Sequence, residues 1–204
     1  MKIDRYPSFQ EMARHEREGA DFECVAVMRP SAALVVIAPH GGGIEPHTCE
    51  IARRIAGQDY SFYAFRGTKP HGNEVLHLTS HLFDEPRGLN LVSSHRVAIA
   101  LHGFVGQGEE VLLGGRHRML KMRLAEALGR LGVAVRTDGH PYPGFHPENI
   151  CNRGSEQRGL QIEMSAAFQG GTQVDGFVST LRDLLLAEYP PEGEGADMLT
   201  GHYA

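Results

Sequence analysis

An α/β domain is the fold class this sequence predicts: one mixed, mostly parallel sheet with helices on both faces. Three observations carry that prediction. Apolar segments of strand length alternate with segments of helical period along most of the chain, the pattern of a layered sheet-and-helix domain. The run from Ala33 to Ala38 is continuously apolar, as a central strand covered on both faces must be. A length of 204 residues fits one domain, and no internal repeat divides it.

Taken in order, Ser8-Phe9-Gln10-Glu11 matches a capping box and predicts a helix running to about Gly19. Phe22 to Met28 reads as a strand, and Ala33 to Ala38 as the central one. Pro46 suits the first turn of a helix whose buried stripe is Ile51, Ala52 and Ile55 and whose stop is Gly57. Tyr60 to Phe65 is a third strand, Val75 to Leu78 a short one, and Arg96 to Leu101 another. From Arg116 to Leu131 a helix shows Leu120, Leu124, Ala127, Leu128 and Leu131 on one face, with Gly132 as its stop. Strands follow at Val133 to Arg136 and Gly159 to Met164, around a loop from Thr137 to Asn149. A last helix spans Asp175 to Glu188 with Phe177, Leu181, Leu184 and Leu185 inward. Residues 1–189 form the predicted domain. Residues 190–204, rich in Pro, Gly and acid and without period, form a predicted loose tail.

The net charge of −5 argues against general nucleic-acid affinity, which needs a basic surface. A local basic pocket for a small anion remains compatible with it. Cys24, Cys49 and Cys151 are odd in number and widely spaced, so neither a disulfide framework nor a thiolate zinc pair is expected. Reduced thiols and a start, Met1-Lys2-Ile3-Asp4-Arg5, without an apolar core predict a cytoplasmic protein. No apolar run reaches the ~20 residues of a membrane span. A monomer is expected.

The chemistry concentrates where strands end. Val35-Val36-Ile37-Ala38-Pro39-His40-Gly41-Gly42-Gly43-Ile44-Glu45 takes an apolar strand into a glycine loop flanked by an imidazole and a carboxylate. Val97-Ala98-Ile99-Ala100-Leu101-His102-Gly103 repeats the strand–His–Gly ending. In open α/β sheets the carboxyl ends of strands are where sites form. Two histidines and a carboxylate delivered there fit a three-ligand zinc site with an open position, the catalytic rather than the structural plan. Glu163, within Gly159-Leu160-Gln161-Ile162-Glu163-Met164-Ser165, is a carboxylate in an apolar strand, which is costly without a partner or a task. It suits the base that takes a proton from the attacking water. Structural alternatives stand beside these readings. Glu45 is also what the positive end of a helix favours, and Glu163 could pair with Arg153 or Arg158.

Cationic candidates complete the set. Asn152-Arg153 offers a neutral donor and a planar fork for a carboxylate. The polar segment His81 to Arg87 brings His81 and, in Arg87, a partner for a developing oxyanion. Lys69 is a further candidate for substrate carboxylates.

These segments together resemble a known family. His40-Gly41-Gly42-Gly43-Ile44-Glu45, Leu76-His77-Leu78-Thr79-Ser80-His81-Leu82-Phe83-Asp84-Glu85-Pro86, Leu101-His102-Gly103, Asn149-Ile150-Cys151-Asn152-Arg153 and the Glu163 strand occur in this order. In that order they resemble the phage-type poly-γ-glutamate hydrolases, also known as a phage-related replication protein family. The resemblance runs from Tyr6-Pro7 to the last helix. It implies a zinc peptidase with a zinc carboxypeptidase-like fold, in which ligands come in the order His, Glu, His and a later Glu is the base. That order falls on His40, Glu45, His102 and Glu163, and the Asn-Arg pair of carboxypeptidases falls on Asn152-Arg153. Leu82, before Phe83-Asp84-Glu85-Pro86, departs from the family pattern, and the loop from Asp138 to Pro147 looks variable. The expected function is zinc-dependent hydrolysis of a γ-glutamyl amide, in a polymer or a small acidic amide. An amidase acting on a small N-acyl amino acid and a non-enzymatic nucleic-acid accessory protein are the alternatives. A phage-encoded copy would reach its substrate on lysis.

Overall fold

The computed structural model describes residues 4–106 and 108–191. Among the described residues seven strands form one sheet and six helices accompany them; the strands are β1 (Phe22–Val27), β2 (Leu34–Gly42), β3 (Ser61–Gly67), β4 (Val97–Phe104), β5 (Glu110–Gly114), β6 (Ala134–Arg136) and β7 (Leu160–Ser165). Their spatial order is β1-β3-β2-β4-β7-β5-β6. The central strands β3, β2, β4 and β7 run parallel. β1 is antiparallel to β3 and β5 is antiparallel to β7, while β6 follows β5 in parallel. The helices are α1 (Phe9–Met12), α2 (Thr48–Ala56), α3 (Pro86–Ser93), α4 (Arg118–Arg130), α5 (Ala166–Gln169) and α6 (Val174–Glu188).

Alternation along the strands divides the core in two. Leu34, Val36, Ala38, Val97, Ile99, Leu101, Leu160, Ile162 and Met164 face α2, α4 and α6, meeting Ile55, Leu124 and Leu181. Val35, Ile37, Ala98 and Ala100 face the other way, onto Met12 of α1, Leu91 and Val92 of α3, and the irregular segments that hold Leu76, Leu78, Phe83, Ile150 and Cys151. The mixed α/β class expected from the sequence is therefore the fold observed, with helices on both sides of a mostly parallel sheet.

Several elements differ from expectation. Ser8 does cap a helix by accepting from the Glu11 amide, but α1 closes after four residues. The segment expected as a strand at Val75 to Leu78 is instead a 3-10 turn, Asn73–Leu76. β3 already has neighbours on both sides, so no sheet edge is open to it there. α3, β5 and α5 lie outside the elements the sequence predicts. α3 is capped by Glu85, whose carboxylate accepts from the Gly88 amide, with Pro86 in its first turn; a glutamate cap is a weak sequence signal. Pro46 precedes α2 instead of opening it. Leu131 is half exposed, beyond the end of α4. Of the expected tail, residues 192–204 lie outside the described residues.

Candidate metal centre

His40, His102 and Glu163 come from the carboxyl ends of β2, β4 and β7. His102 and Glu163 are direct partners in the β4–β7 pairing, so their side chains leave the same face of the sheet. That is the face of Ala98 and Ala100, opposite α2, α4 and α6. Strict alternation would send His40 the other way, with Leu34, Val36 and Ala38. A bulge prevents this. Between Ala38 and Gly41 β2 advances three residues while β3 advances two, from Ala64 to Arg66. The extra residue re-aims His40, and Pro39, which has no N–H to offer a ladder, sits inside the irregularity. His40 thereby joins His102 and Glu163.

The glycine loop then returns the chain. Gly42 has φ of 65° and lies so close to Gly67 that a side chain would collide with its carbonyl, a position for glycine alone. The Glu45 amide donates to the His40 carbonyl, 2.9 Å, and closes the loop. Glu45 lies ahead of α2, so its carboxylate serves the site and not the helix. One oxygen, Oε1, is 3.2 Å from His40 Nδ1. The other, Oε2, is 3.6 Å from His102 Nδ1 and accepts from the Gly103 amide at 2.9 Å. His40 Nδ1 and His102 Nδ1 are 3.1 Å apart.

The chemistry of these donors fits a cation. His40 Nε2 is 2.7 Å from the Leu78 carbonyl. A carbonyl only accepts, so this nitrogen carries a proton, which leaves Nδ1 as the ring nitrogen able to give a lone pair to an ion placed between Glu45 and His102. Both histidines are nearly inaccessible, at 1% and 2% exposure. Two nitrogens and a carboxylate converging out of water suit zinc, with hard and borderline ligands in a preformed group. Without an ion, burial alone would raise the Glu45 carboxyl, but protonated His40 and His102 outweigh it and hold Glu45 well below the usual carboxylate range, the direction in which a bound cation would also act.

Glu163 is buried, at 5% exposure. Its Oε1 accepts from Gln161 Nε2 at 2.9 Å, and Gln161 Oε1 in turn accepts from Asn149 Nδ2 at 2.7 Å. Burial, then the nearby negative charge of Glu45, push its carboxyl well above the ordinary value. The ion-pair alternative for Glu163 falls away: Arg153 pairs with Glu148 and Arg158 with Glu156.

A fourth group, His77, stands here that no strand-end pattern marks in the sequence. The His77 ring packs on His40 with centroids 4.2 Å apart, and its Nε2 is 4.0 Å from Glu45 Oε1. His40, Glu45 and His77 each offer a ligand atom within 4.8 Å of the others. Burial and the neighbouring His40 push the His77 imidazole down to about 4. Its place in a His-Leu-Thr-Ser-His segment was visible, but nothing in that spacing put it beside Glu45.

Other sequence candidates are placed differently. Arg87 is bound by two carboxylates, Glu85 at 2.8 Å and Glu18 at 2.7 and 3.0 Å, so it is not free to meet an oxyanion. Lys69 donates to the buried Glu16 at 2.6 Å and serves that acid. Asn152 is buried, and all its capacity is used on backbone: Oδ1 accepts from the Arg116 and Gly159 amides, and Nδ2 donates to the Gly144 and His146 carbonyls. It ties loops together and has no group left for a substrate. Arg153 beside it is partly exposed, with Glu148 at 2.5 Å. His81 is exposed and stacks on His146 with centroids 4.8 Å apart.

Comparison with known proteins places the fold and the family. The structure superimposes on a bacteriophage poly-gamma-glutamate hydrolase with a TM-score of 0.86 and 25% identity, covering 91% of this chain and 98% of that one. It superimposes on a zinc-free apo form of YndL with a TM-score of 0.85 and 33% identity, covering 92% and 100%. In sequence it is 38% identical to the UPF0714 protein YndL of Bacillus subtilis (strain 168) over 169 residues, 81% of this chain. The chain spans about two thirds of the length of that curated relative, 66%. The poly-gamma-glutamate hydrolase family model matches residues 6–171, and the chain belongs to that family.

Proposed function

We propose that this chain is a zinc-dependent hydrolase that cleaves the γ-linked amide bonds of poly-γ-glutamate. The observation that carries the reading is the convergence of His40 Nδ1, Glu45 and His102 Nδ1 beside a buried carboxylic acid, Glu163, on the next strand. His40, Glu45 and His102 would hold the ion. Bound zinc supplies Lewis acidity, polarising the scissile carbonyl and making a water more acidic.

The residues of the chain do the rest. Glu163 stands beside His102, where the Gln161 amide holds its carboxylate. It takes the proton of the water that attacks the carbonyl carbon. As the C–N bond breaks it returns that proton to the departing nitrogen, leaving a carboxylate and a free amine. A cation among the ligands offsets the repulsion from Glu45 that now raises its affinity for protons. The fixed Leu78 carbonyl and Gly103 amide keep His40 and Glu45 in place through the cycle.

Substrate charge calls for a cation outside the metal ligands. A γ-linked glutamyl unit keeps its α-carboxylate free, so the polymer brings one anion per unit. The chain as a whole is negative and does not attract such a polymer in general. Arg153 can exchange Glu148, an exposed partner worth little, for a substrate carboxylate in a planar two-point contact. His81, exposed near His146, is the second candidate for this contact.

The reading is tested by incubating poly-γ-glutamate with purified protein, following polymer mass by size exclusion and new amines by a colorimetric reagent. Shortening of the γ-polymer, with one amine per break, loss on chelation and recovery with zinc are expected. An intact γ-polymer in the presence of zinc-loaded protein contradicts it.

A further inference from the structure

His77 reaches the centre by an unusual route. Its Nδ1 lies 2.7 Å from Asp4 Oδ1, and Asp4 Oδ2 accepts from the Thr79 amide at 2.7 Å. Asp4 is buried with it, the side chains being 9% and 15% exposed. A carboxylate so placed accepts the Nδ1 proton and fixes the tautomer, so Nε2 carries the lone pair. That lone pair faces Glu45 Oε1 across 4.0 Å. Glu45 Oε1 is a second acceptor, and the Nδ1 ring nitrogen of His40 stands 3.2 Å from it. Acceptors do not share a buried space without something positive between them. The arrangement of carboxylate, imidazole and facing donors is that of a histidine ligand oriented from behind.

We propose that His77 is a further nitrogen donor to the metal held by His40, Glu45 and His102, and that Asp4 is its orienting carboxylate. This rests on the metal-centre reading above. It makes the N-terminal segment part of the site. That segment is docked independently of Asp4: the Phe9 amide donates to Asp84, Tyr6 donates to Glu16 at 2.8 Å, and Lys69 also donates to Glu16. Four protein donors still admit a water or substrate oxygen, since zinc expands to five ligands during catalysis.

The test measures zinc affinity by competition with a chromogenic chelator, and the visible absorption of the cobalt(II)-substituted protein, for wild type, His77→Phe, Asp4→Asn and Lys69→Ala. Circular dichroism of the metal-free forms identifies folded variants, and Asp4→Asn leaves the ring packing of His77 in place. Expected results are zinc binding about a hundredfold or more weaker in His77→Phe, with an altered cobalt spectrum, and about ten- to a hundredfold weaker in Asp4→Asn. Lys69→Ala, which loosens the same segment elsewhere, should bind zinc as wild type does. A His77→Phe protein with unchanged affinity, or with weakened affinity but an unchanged cobalt spectrum, overturns the assignment of His77 as a donor. Equal losses in Lys69→Ala and Asp4→Asn overturn the role of Asp4. Wild type that binds no zinc overturns the metal centre itself, and this inference with it.

Discussion

His102 and Glu163 are direct partners of the parallel β4–β7 pairing, a buried imidazole on one strand and a buried acid on the next. Both lie on the face of the sheet turned away from α2, α4 and α6. The proposed division of labour between binding an ion and moving a proton rests on that one register.

Glu163→Gln separates those two tasks. Gln keeps the size of the side chain and an acceptor for Gln161, but it cannot take a proton. Zinc affinity should stay near that of wild type, and turnover of a γ-glutamyl substrate should fall on the order of a hundredfold or more. Stability of the metal-free protein gives a second readout. The native carboxyl holds its proton more tightly than the unfolded one, so wild-type stability should fall as pH rises above the unfolded value. Glu163→Gln removes that slope. The variant should melt higher than wild type at pH 8, and the gap should close toward pH 4. Near-wild-type turnover would show that another group is the base.

Arg153→Ala and Arg87→Ala should part company. Arg153, paired with an exposed Glu148, is the proposed partner of the substrate carboxylate, whereas Arg87 is bound by Glu18 and Glu85. With a γ-glutamyl substrate and its α-amidated analogue, wild type should prefer the acid and Arg153→Ala should lose most of that preference. Arg87→Ala should keep the preference and stay within about twofold in kcat/KM, while losing some stability as the buried Glu85 gives up a partner. The reverse pattern would restore Arg87 to the site.

Much of the site was legible because it sits at strand ends, where local sequence is informative. An apolar run broken by Pro39-His40 and three glycines announces a strand, a tight loop and a ligand, and Leu101-His102-Gly103 repeats the ending. The rest depends on contacts between residues far apart in the chain. Arg87 and Lys69 look free until Glu18 and Glu16 arrive from the N-terminal segment. His77 looks ordinary until Asp4 turns it toward Glu45. The bulge matters most. Period-two counting puts His40 on the face opposite His102, and only the irregular pairing of β2 with β3 brings the two together.

Asn152→Ala should act on stability. The side chain satisfies two amides and two carbonyls from four separate residues, and truncation leaves them without it in a buried place. A loss of about 3 kcal/mol is expected, read as a lower midpoint of urea unfolding with unchanged slope. Retained stability with weakened substrate binding would instead make Asn152 a substrate ligand.

The most direct measurement is anomalous diffraction at the zinc edge from crystals grown with zinc. One strong peak per chain is predicted, about 2.0–2.2 Å from His40 Nδ1, a Glu45 oxygen and His102 Nδ1, and absent in crystals of His102→Ala. Zinc bound elsewhere, or a protein that stays free of it while hydrolysing the γ-polymer at full rate, would contradict the centre described.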